Sequence, residues 1–330
     1  MNFQTNLTTI DTGSYSLACS LELGRWTEEG LSTALLRMQD SEIPPSGRLA
    51  YWSWKFVGTP FGYESALQPV GENALRVRLA SFDCITFIYN VLALANAENF
   101  RSYVQRLYKI RYRSNDRGLL ENNAQYGNFF DFAYESLVLN CINVGFLEDV
   151  TEEIVGSANL IYVRMKLKPF SRPADRDILQ ETIYPRFPEH EIKTSVIPAQ
   201  RIKQIPANHF KSGDIILFTH GAEDKSGLHK QFFVCHAGVA WVRSGKVLLM
   251  HATKNYYTSA NRILELRASD CLFGDQRFAQ PGVALAGEYL GDQATLTRRG
   301  VKYYGYSADK ERLMADYAHN FLGIKVLRPC

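Results

Sequence analysis

Apolar residues recur at three- and four-residue intervals through the stretch that follows Asp83. Cys84, Phe87, Ile88, Val91, Leu92 and Ala95 fall on one stripe, which predicts a helix with that side buried. Asp83 or Ser81 is placed to cap it, leaving Cys84 in the first turn, where unpaired N–H groups and the helix dipole favour a thiolate. Upstream, Thr27 as N-cap, Glu28 and Glu29 in the first turn, and Leu31, Leu35, Leu36 and Met38 toward one side predict another helix, ended by Pro44 and Pro45. A helix from Arg48 to Phe56 leads into the turn-rich Gly58-Thr59-Pro60-Phe61-Gly62. Further helices are expected from Phe100 to Tyr108 and from Phe129 to Val144, and Asp149-Val150-Thr151-Glu152-Glu153 reads as a capped turn or short helix start. Residues 1–24 are polar and mixed, and are expected to form a loose leader or arm.

The period changes after residue 212. Gly213-Asp214 turns into Ile215 to Thr219, followed by Gln231 to Val242 and Lys246 to Thr253, which together predict an antiparallel sheet. Before it, from Lys166 to Pro206, six prolines (Pro169, Pro173, Pro185, Pro188, Pro198, Pro206) and many charges predict a long connection with short extended pieces, a wall or lid. In the sheet, Val234, His236 and Gly238 are expected on one face of their strand, and Val247, Leu249 and His251 on one face of theirs. The turn lies within Arg243-Ser244-Gly245. A turn at Arg243-Ser244 sets His236 directly opposite His251, and a turn at Ser244-Gly245 sets them diagonally; either register puts both rings on one face. A three-residue loop without a bulge would separate them.

Composition narrows the class. With 330 residues, 46% of them hydrophobic and 12% aromatic, the chain can bury a large core. The net charge of +3 comes from 37 basic and 34 acidic residues scattered without a basic run, so nucleic acid is not an expected partner. The six cysteines (Cys19, Cys84, Cys141, Cys235, Cys271, Cys330) contain no CxxC pair, which fits a reduced set with one working thiol. The apolar run from Cys84 to Ala97 is too short to span a bilayer, and Met1 to Leu21 lacks the basic start and continuous apolar core of a signal peptide.

A cysteine hydrolase needs a nucleophile, a base within hydrogen-bond reach, and a third group that fixes the base's ring. Cys84, His236 and His251 supply these in order. The Cys84 backbone N–H would meet the oxyanion, with Tyr63 or Tyr51 as candidates for a second donor. Loop residues near Tyr63 and Tyr112 would line the cleft, and Arg111 and Arg113 are candidates to clamp a substrate carboxylate, against the plainer reading of a solvated helix end. Taken singly, a cysteine on an apolar helix stripe is a small core residue and a strand histidine a structural one; Cys235 is expected in the core. No cofactor or metal is expected. A metal hydrolase built on His236, His251 and His220 or His229 is the runner-up, with no HxxxH helix or CxxC spacing to support it.

As a set, several pieces resemble the N-acetylmuramoyl-L-alanine amidase-like family, within the NlpC-type papain-like cysteine peptidases. They are Gly58-Thr59-Pro60, Phe82-Asp83-Cys84-Ile85-Thr86-Phe87 with Val91-Leu92-Ala93-Leu94-Ala95, Ile110-Arg111-Tyr112-Arg113, Asp149-Val150-Thr151, Ser212-Gly213-Asp214-Ile215-Ile216, Cys235-His236-Ala237-Gly238-Val239, His251-Ala252-Thr253 and Gly323-Ile324-Lys325-Val326-Leu327-Arg328. The resemblance implies an α+β fold with a papain-like core, the nucleophile helix packed on an antiparallel sheet. Residues 1–46 would form an N-terminal arm and helix, and residues 47–330 one catalytic domain with a Pro-rich insertion around 166–206. It implies Cys84 as nucleophile, His236 as base and His251 as orienting group. The implied substrate is peptidoglycan or a muropeptide, cut between the muramic acid lactyl group and L-alanine, or alternatively at the γ-D-glutamyl-diaminopimelate bond, and the implied location is periplasmic or secreted. The chain departs from the family pattern at Phe61, where a Tyr is expected, and at Tyr89, where an acidic residue is expected. The stretch Asn122 to Asp131 also lacks the family's Ser-Arg and His-Tyr pieces. Two further alternatives are a non-catalytic cell-wall binding protein and a thiol enzyme that transfers its acyl group to an amine or lipid.

Overall fold

The computed structural model describes residues 7–11, 16–60, 75–111, 134–167, 190–220, 233–243, 245–253, 282–286 and 321–330. Strand β1 (Leu7–Asp11) pairs antiparallel with β2 (Ser16–Glu22), which pairs parallel with β3 (Leu75–Arg78). The expected loose leader is therefore sheet in part. Leu17, Cys19 and Leu21, every second residue of β2, turn toward the main core, so the polar average of the segment hides a half-buried strand.

Helix α1 (Glu28–Gln39) starts as expected: Thr27 Oγ1 accepts the Gly30 N–H at 3.0 Å, and Leu31, Leu35 and Met38 are buried. Leu36 is not on that side; it is 55% exposed, because it lies a hundred degrees round from Leu35. Pro45 does not belong to a terminator but opens α2 (Pro45–Lys55), where its missing N–H costs nothing. Helix α3 (Cys84–Ala95) is buried from Thr86 to Ala95 on every side, not along one stripe, since α2, α4 (Phe100–Arg111) and the large sheet surround it. Its one amide, Asn90, is satisfied by the Tyr103 hydroxyl at 2.5 Å and by the Thr86 carbonyl at 2.7 Å.

The region expected as a helix to Val144 is a π-helical segment, Tyr134–Asn140, running into a short α5 (Cys141–Asn143); residues 129–133 lie outside those described. Ser136 and Asn140 reach back to the Ile110 and Lys109 carbonyls, closing acceptors at the end of α4. Then follow β4 (Leu147–Asp149), α6 (Thr151–Val155), β5 (Ile161–Leu167), β6 (His190–Pro198), β7 (Ile215–His220), β8 (Phe233–Arg243), β9 (Lys246–Thr253), β10 (Gly282–Ala286) and β11 (Phe321–Pro329). The Pro-rich stretch thus holds a nine-residue strand, β6, whose Pro198 falls at its end, where a proline does no harm to the ladder.

These strands form one sheet of order β10-β9-β8-β7-β11-β6-β5, with β4 also on β11, and every pairing is antiparallel. Both faces are covered. Ile215, Leu217, Ala237, Val239, Leu248, Met250 and Ala252 join the helices in one core. Ile216, Phe218, Ala240, Val247, Leu249, Ile324 and Val326 join Val150, Ile154, Ile202 and Phe210 in another.

Strand β11 carries two buried charges. The Lys325 ammonium pairs with Asp149 at 2.5 Å and donates to the Ser195 carbonyl at 3.1 Å; Arg328 grips Asp214 through Nε at 2.9 Å and Nη2 at 3.0 Å and reaches Glu153 at 2.6 Å. Asp214 also accepts the Lys211 N–H at 2.8 Å, and Thr151 is tied to both Asp149 and the Val326 backbone. Asp149-Val150-Thr151, Gly213-Asp214 and Lys325 to Arg328, scattered in sequence, are thereby one polar joint in an apolar sheet.

Candidate active site

The nucleophile candidate is placed by its cap. Asp83 is extended (φ −92°, ψ 179°) and accepts the Ile85 and Thr86 N–H groups at 3.0 and 2.7 Å, while Thr86 Oγ1 accepts the Asp83 N–H at 3.0 Å. This reciprocal box fixes where the chain turns into α3 and leaves Cys84 as its first residue. Just before it, the Phe82 N–H donates to the Pro60 carbonyl at 3.0 Å, and the Phe82 ring is wedged edge-on against Phe56 at 5.1 Å. Gly58-Thr59-Pro60 therefore runs beside the segment that delivers Cys84.

Cys84 is half-buried, and burial of its sulfur pushes the thiol up to about 12, with the Asp83 carboxylate adding to the rise. The N–H groups of Ala237, Cys84 and Ile85 pull in the opposite direction and are outweighed. The expectation that the helix start favours a thiolate is corrected here, because burial of the sulfur, and after it the Asp83 carboxylate, outweighs the N–H groups of the first turn. The sulfur is a thiol at neutral pH unless a base takes its proton.

The donor from Ala237 locates the thiol against the sheet. The β8–β9 ladder closes at Val239↔Met250, and two residues earlier the Ala237 N–H meets the Cys84 sulfur. The residue before Ala237 is His236. Its Nε2 lies 2.6 Å from Nδ1 of His251, with the rings edge-on at 4.9 Å and both side chains buried. The pairing Arg243↔Lys246 selects the diagonal of the two expected registers, and Gly245 just before Lys246 stands at φ +72°.

One part of the strand reading fails. His236 pairs with Phe218 but Val234 with Thr219, so Cys235 is an extra residue, a bulge. Val234 accordingly turns to the core that holds Ala237 and Val239, away from the face of His236 and Gly238. The expectation for the Cys235 side chain lies outside what is described.

Of the remaining candidates, Arg111 and Tyr51 are among the described residues. Arg111 is buried, gives Nη1 to the Arg76 carbonyl at 3.1 Å and stands near Tyr89 and Tyr103. Tyr89 bonds Ser136 through its hydroxyl, so at the position where an acid was expected it ties α3 to the π-helical segment. Tyr51 lies on α2 with its ring 5.6 Å from Trp52 and under the Lys55 ammonium at 5.1 Å. Tyr63, Tyr112, Arg113, Phe61, His229, Asn122 to Asp131 and the His220 side chain lie outside the described residues. Among the described residues no three His, Cys, Asp or Glu side chains gather as a metal site, and no helix is long and apolar enough to cross a membrane.

The family model for N-acetylmuramoyl-L-alanine amidase-like proteins matches residues 51–269. The chain belongs to the AmiA-like family. That match takes in Cys84, His236 and His251. Among solved structures, the AmiA-like chain is similar to an N-acetylmuramoyl-L-alanine amidase from Bacteroides uniformis, with 17% identity and a TM-score of 0.53 over 86% of this chain and 98% of that one. It is also similar to LPG0564 from Legionella pneumophila, assigned to DUF1460, with 15% identity and a TM-score of 0.59 over 92% and 94%. At such identities the likeness speaks for the α+β fold. No curated protein matches the sequence.

Two buried thiols and the half-buried Cys84 of this AmiA-like chain lead to an alkaline limit. Burial raises Cys19 and Cys84 to about 12 and raises Cys141 further, against an ordinary value of 9.0. Above that ordinary value the unfolded chain has released these protons and the folded chain has kept them, so stability falls as pH rises toward 12. The slope is about 1.4 kcal/mol per pH unit for each such thiol. Urea midpoints measured from about pH 8 to 10.5 should decline, and Cys141→Ala should flatten the decline.

Proposed function

We propose that this chain is a cysteine amidase of the NlpC-type papain-like class that cuts the bond between the muramic acid lactyl carbonyl and L-alanine in peptidoglycan or muropeptides. The observation that carries the reading is the 2.6 Å contact between His236 Nε2 and His251 Nδ1, one residue from the N–H that meets the Cys84 sulfur. In the tautomer this role requires, His236 Nε2–H donates to His251 Nδ1, and His236 Nδ1 keeps its lone pair for the thiol proton.

His236 removes that proton as Cys84 Sγ bonds to the carbonyl carbon. The oxyanion is met by the Cys84 backbone N–H at the helix start. Collapse breaks the C–N bond, and His236 returns the proton to the departing alanine nitrogen. Water, deprotonated by His236, then cleaves the thioester and releases the lactyl carboxylate and the free thiol. With the thiol's affinity for its proton raised by burial and Asp83, the imidazole is needed at the attacking step itself.

The test is digestion of defined muropeptides, including a 1,6-anhydro form, read by mass. Release of the intact peptide from the sugar is the expected result. A fragment beginning at diaminopimelate would move the assignment to the γ-D-glutamyl bond, and unchanged substrate would remove the amidase reading.

A further inference from the structure

We propose that Asp83 is a positioning residue that keeps the Cys84 proton in place, its carboxylate fixed beside the sulfur and competing with it for the Ile85 N–H. The proposal takes Cys84 as the nucleophile of the cysteine-amidase reading, while its test reads the thiol directly, whichever bond is cut.

The cap holds the carboxylate still. One oxygen, Asp83 Oδ1, accepts the Ile85 N–H at 3.0 Å, the Thr86 N–H at 2.7 Å and the Thr86 hydroxyl at 2.8 Å, and that hydroxyl in turn accepts the Asp83 N–H at 3.0 Å. Tied within one turn by all of these, the side chain cannot swing away from Cys84, the next residue.

The sulfur draws on the same turn. The N–H groups of Ala237, Cys84 and Ile85 reach it, so the Ile85 N–H is claimed twice, by the sulfur and by a carboxylate that already carries a full charge. An anion at the cap also meets the positive end of α3, a helix of 12 residues, and takes up the field that would otherwise favour a thiolate. Both effects act in the same direction as burial, and all three hold the proton on the thiol. Asparagine and serine cap a helix about as well as aspartate does, without the charge, so substitution separates the charge from the cap.

The experiment measures the rate of Cys84 alkylation by iodoacetamide in the full chain from about pH 7 to 9.5, read on its peptide by mass spectrometry, with a thermal melt of each protein. The exposed Cys330 serves as internal reference for the reagent. Wild type is compared with Asp83→Asn, Asp83→Ser and Asp83→Ala. Other charged or titrating groups on the elements around α3, among them His236 and His251 on the sheet, Tyr103 and Arg111 on α4 and Lys55 on α2, are the same in every variant, so the differences isolate the carboxylate. Asp83→Asn and Asp83→Ser are expected to be alkylated about three- to tenfold faster than wild type at each pH, on parallel profiles and with melts close to wild type. The gain is smaller than the gain in thiolate, because a thiol that yields its proton more readily is also a weaker nucleophile. Asp83→Ala, which loses the cap as well, is expected to melt lower. Wild-type rates in Asp83→Asn and Asp83→Ser overturn the proposal, and so does a rise confined to Asp83→Ala, which would trace to fraying of the helix start. Muropeptide digestion by wild type runs alongside: unchanged substrate there overturns the amidase reading and leaves the alkylation result to decide the role of Asp83.

Discussion

Cys84→Ala and His236→Ala are each expected to lower kcat on a muropeptide by about 10,000-fold or more, with His251→Ala falling between about 100- and 1,000-fold. The ordering follows from what each group touches. In the proposed reaction Cys84 forms the bond and His236 moves the proton, so removing either removes the covalent route. His251 acts on the ring of His236, which keeps its own nitrogens when His251 is lost. Because the thiol and the imidazole work as a unit, the Cys84→Ala, His236→Ala double variant should be no worse than either single variant. Steady-state rates on folded proteins check the set, and multiplicative losses in the double variant, or turnover surviving in Cys84→Ala, would end the thiol mechanism.

Arg328→Met is expected to cost about 3–5 kcal/mol of stability, measured by urea unfolding, with little change in the fold of what remains folded. The cause is the charge left behind: Asp214 is fully buried and receives two of its hydrogen bonds from that one guanidinium. Asp214→Leu should cost less, since Arg328 keeps its bond to Glu153, which is exposed and can follow it. Combining Arg328→Met with Asp214→Leu should recover most of the loss, because neither partner is then stranded. A double variant as unstable as the sum of the singles would mean that shape, rather than charge, holds β11 at this point.

The helix that begins at Cys84 was legible because its signals are local: an Asp at the cap, a Thr three residues on, and an apolar repeat with one amide. The histidine hairpin was legible down to two registers, since three turn residues allow two tight turns, and Gly245 at positive φ selects between them. The bulge at Cys235 was not, because nothing in Val234-Cys235-His236 marks an extra residue; only the partner strand reveals that two positions oppose one. Strand β2 was missed because its pairing with β3 joins segments more than fifty residues apart, and β1, exposed at every position but Ile10, adds only a hairpin partner to β2. Asp214 was read as a turn residue for the same reason, as its partner Arg328 lies 114 residues away. The roles of Tyr89 and Arg111 follow from burial, which their spacing does not encode.

Strand β11 lies between β7 and β6, with β4 beside its second half. During synthesis, therefore, translation must pass residue 329 before that slot is filled, and until then β7 and β6 present unpaired backbone edges to other chains. A ribosome stalled in the 254–320 region holds a chain with every candidate chemical group already made and the keystone of its sheet still missing. Quality-control factors that sense bare strand edges would have their longest opportunity on this protein in that interval.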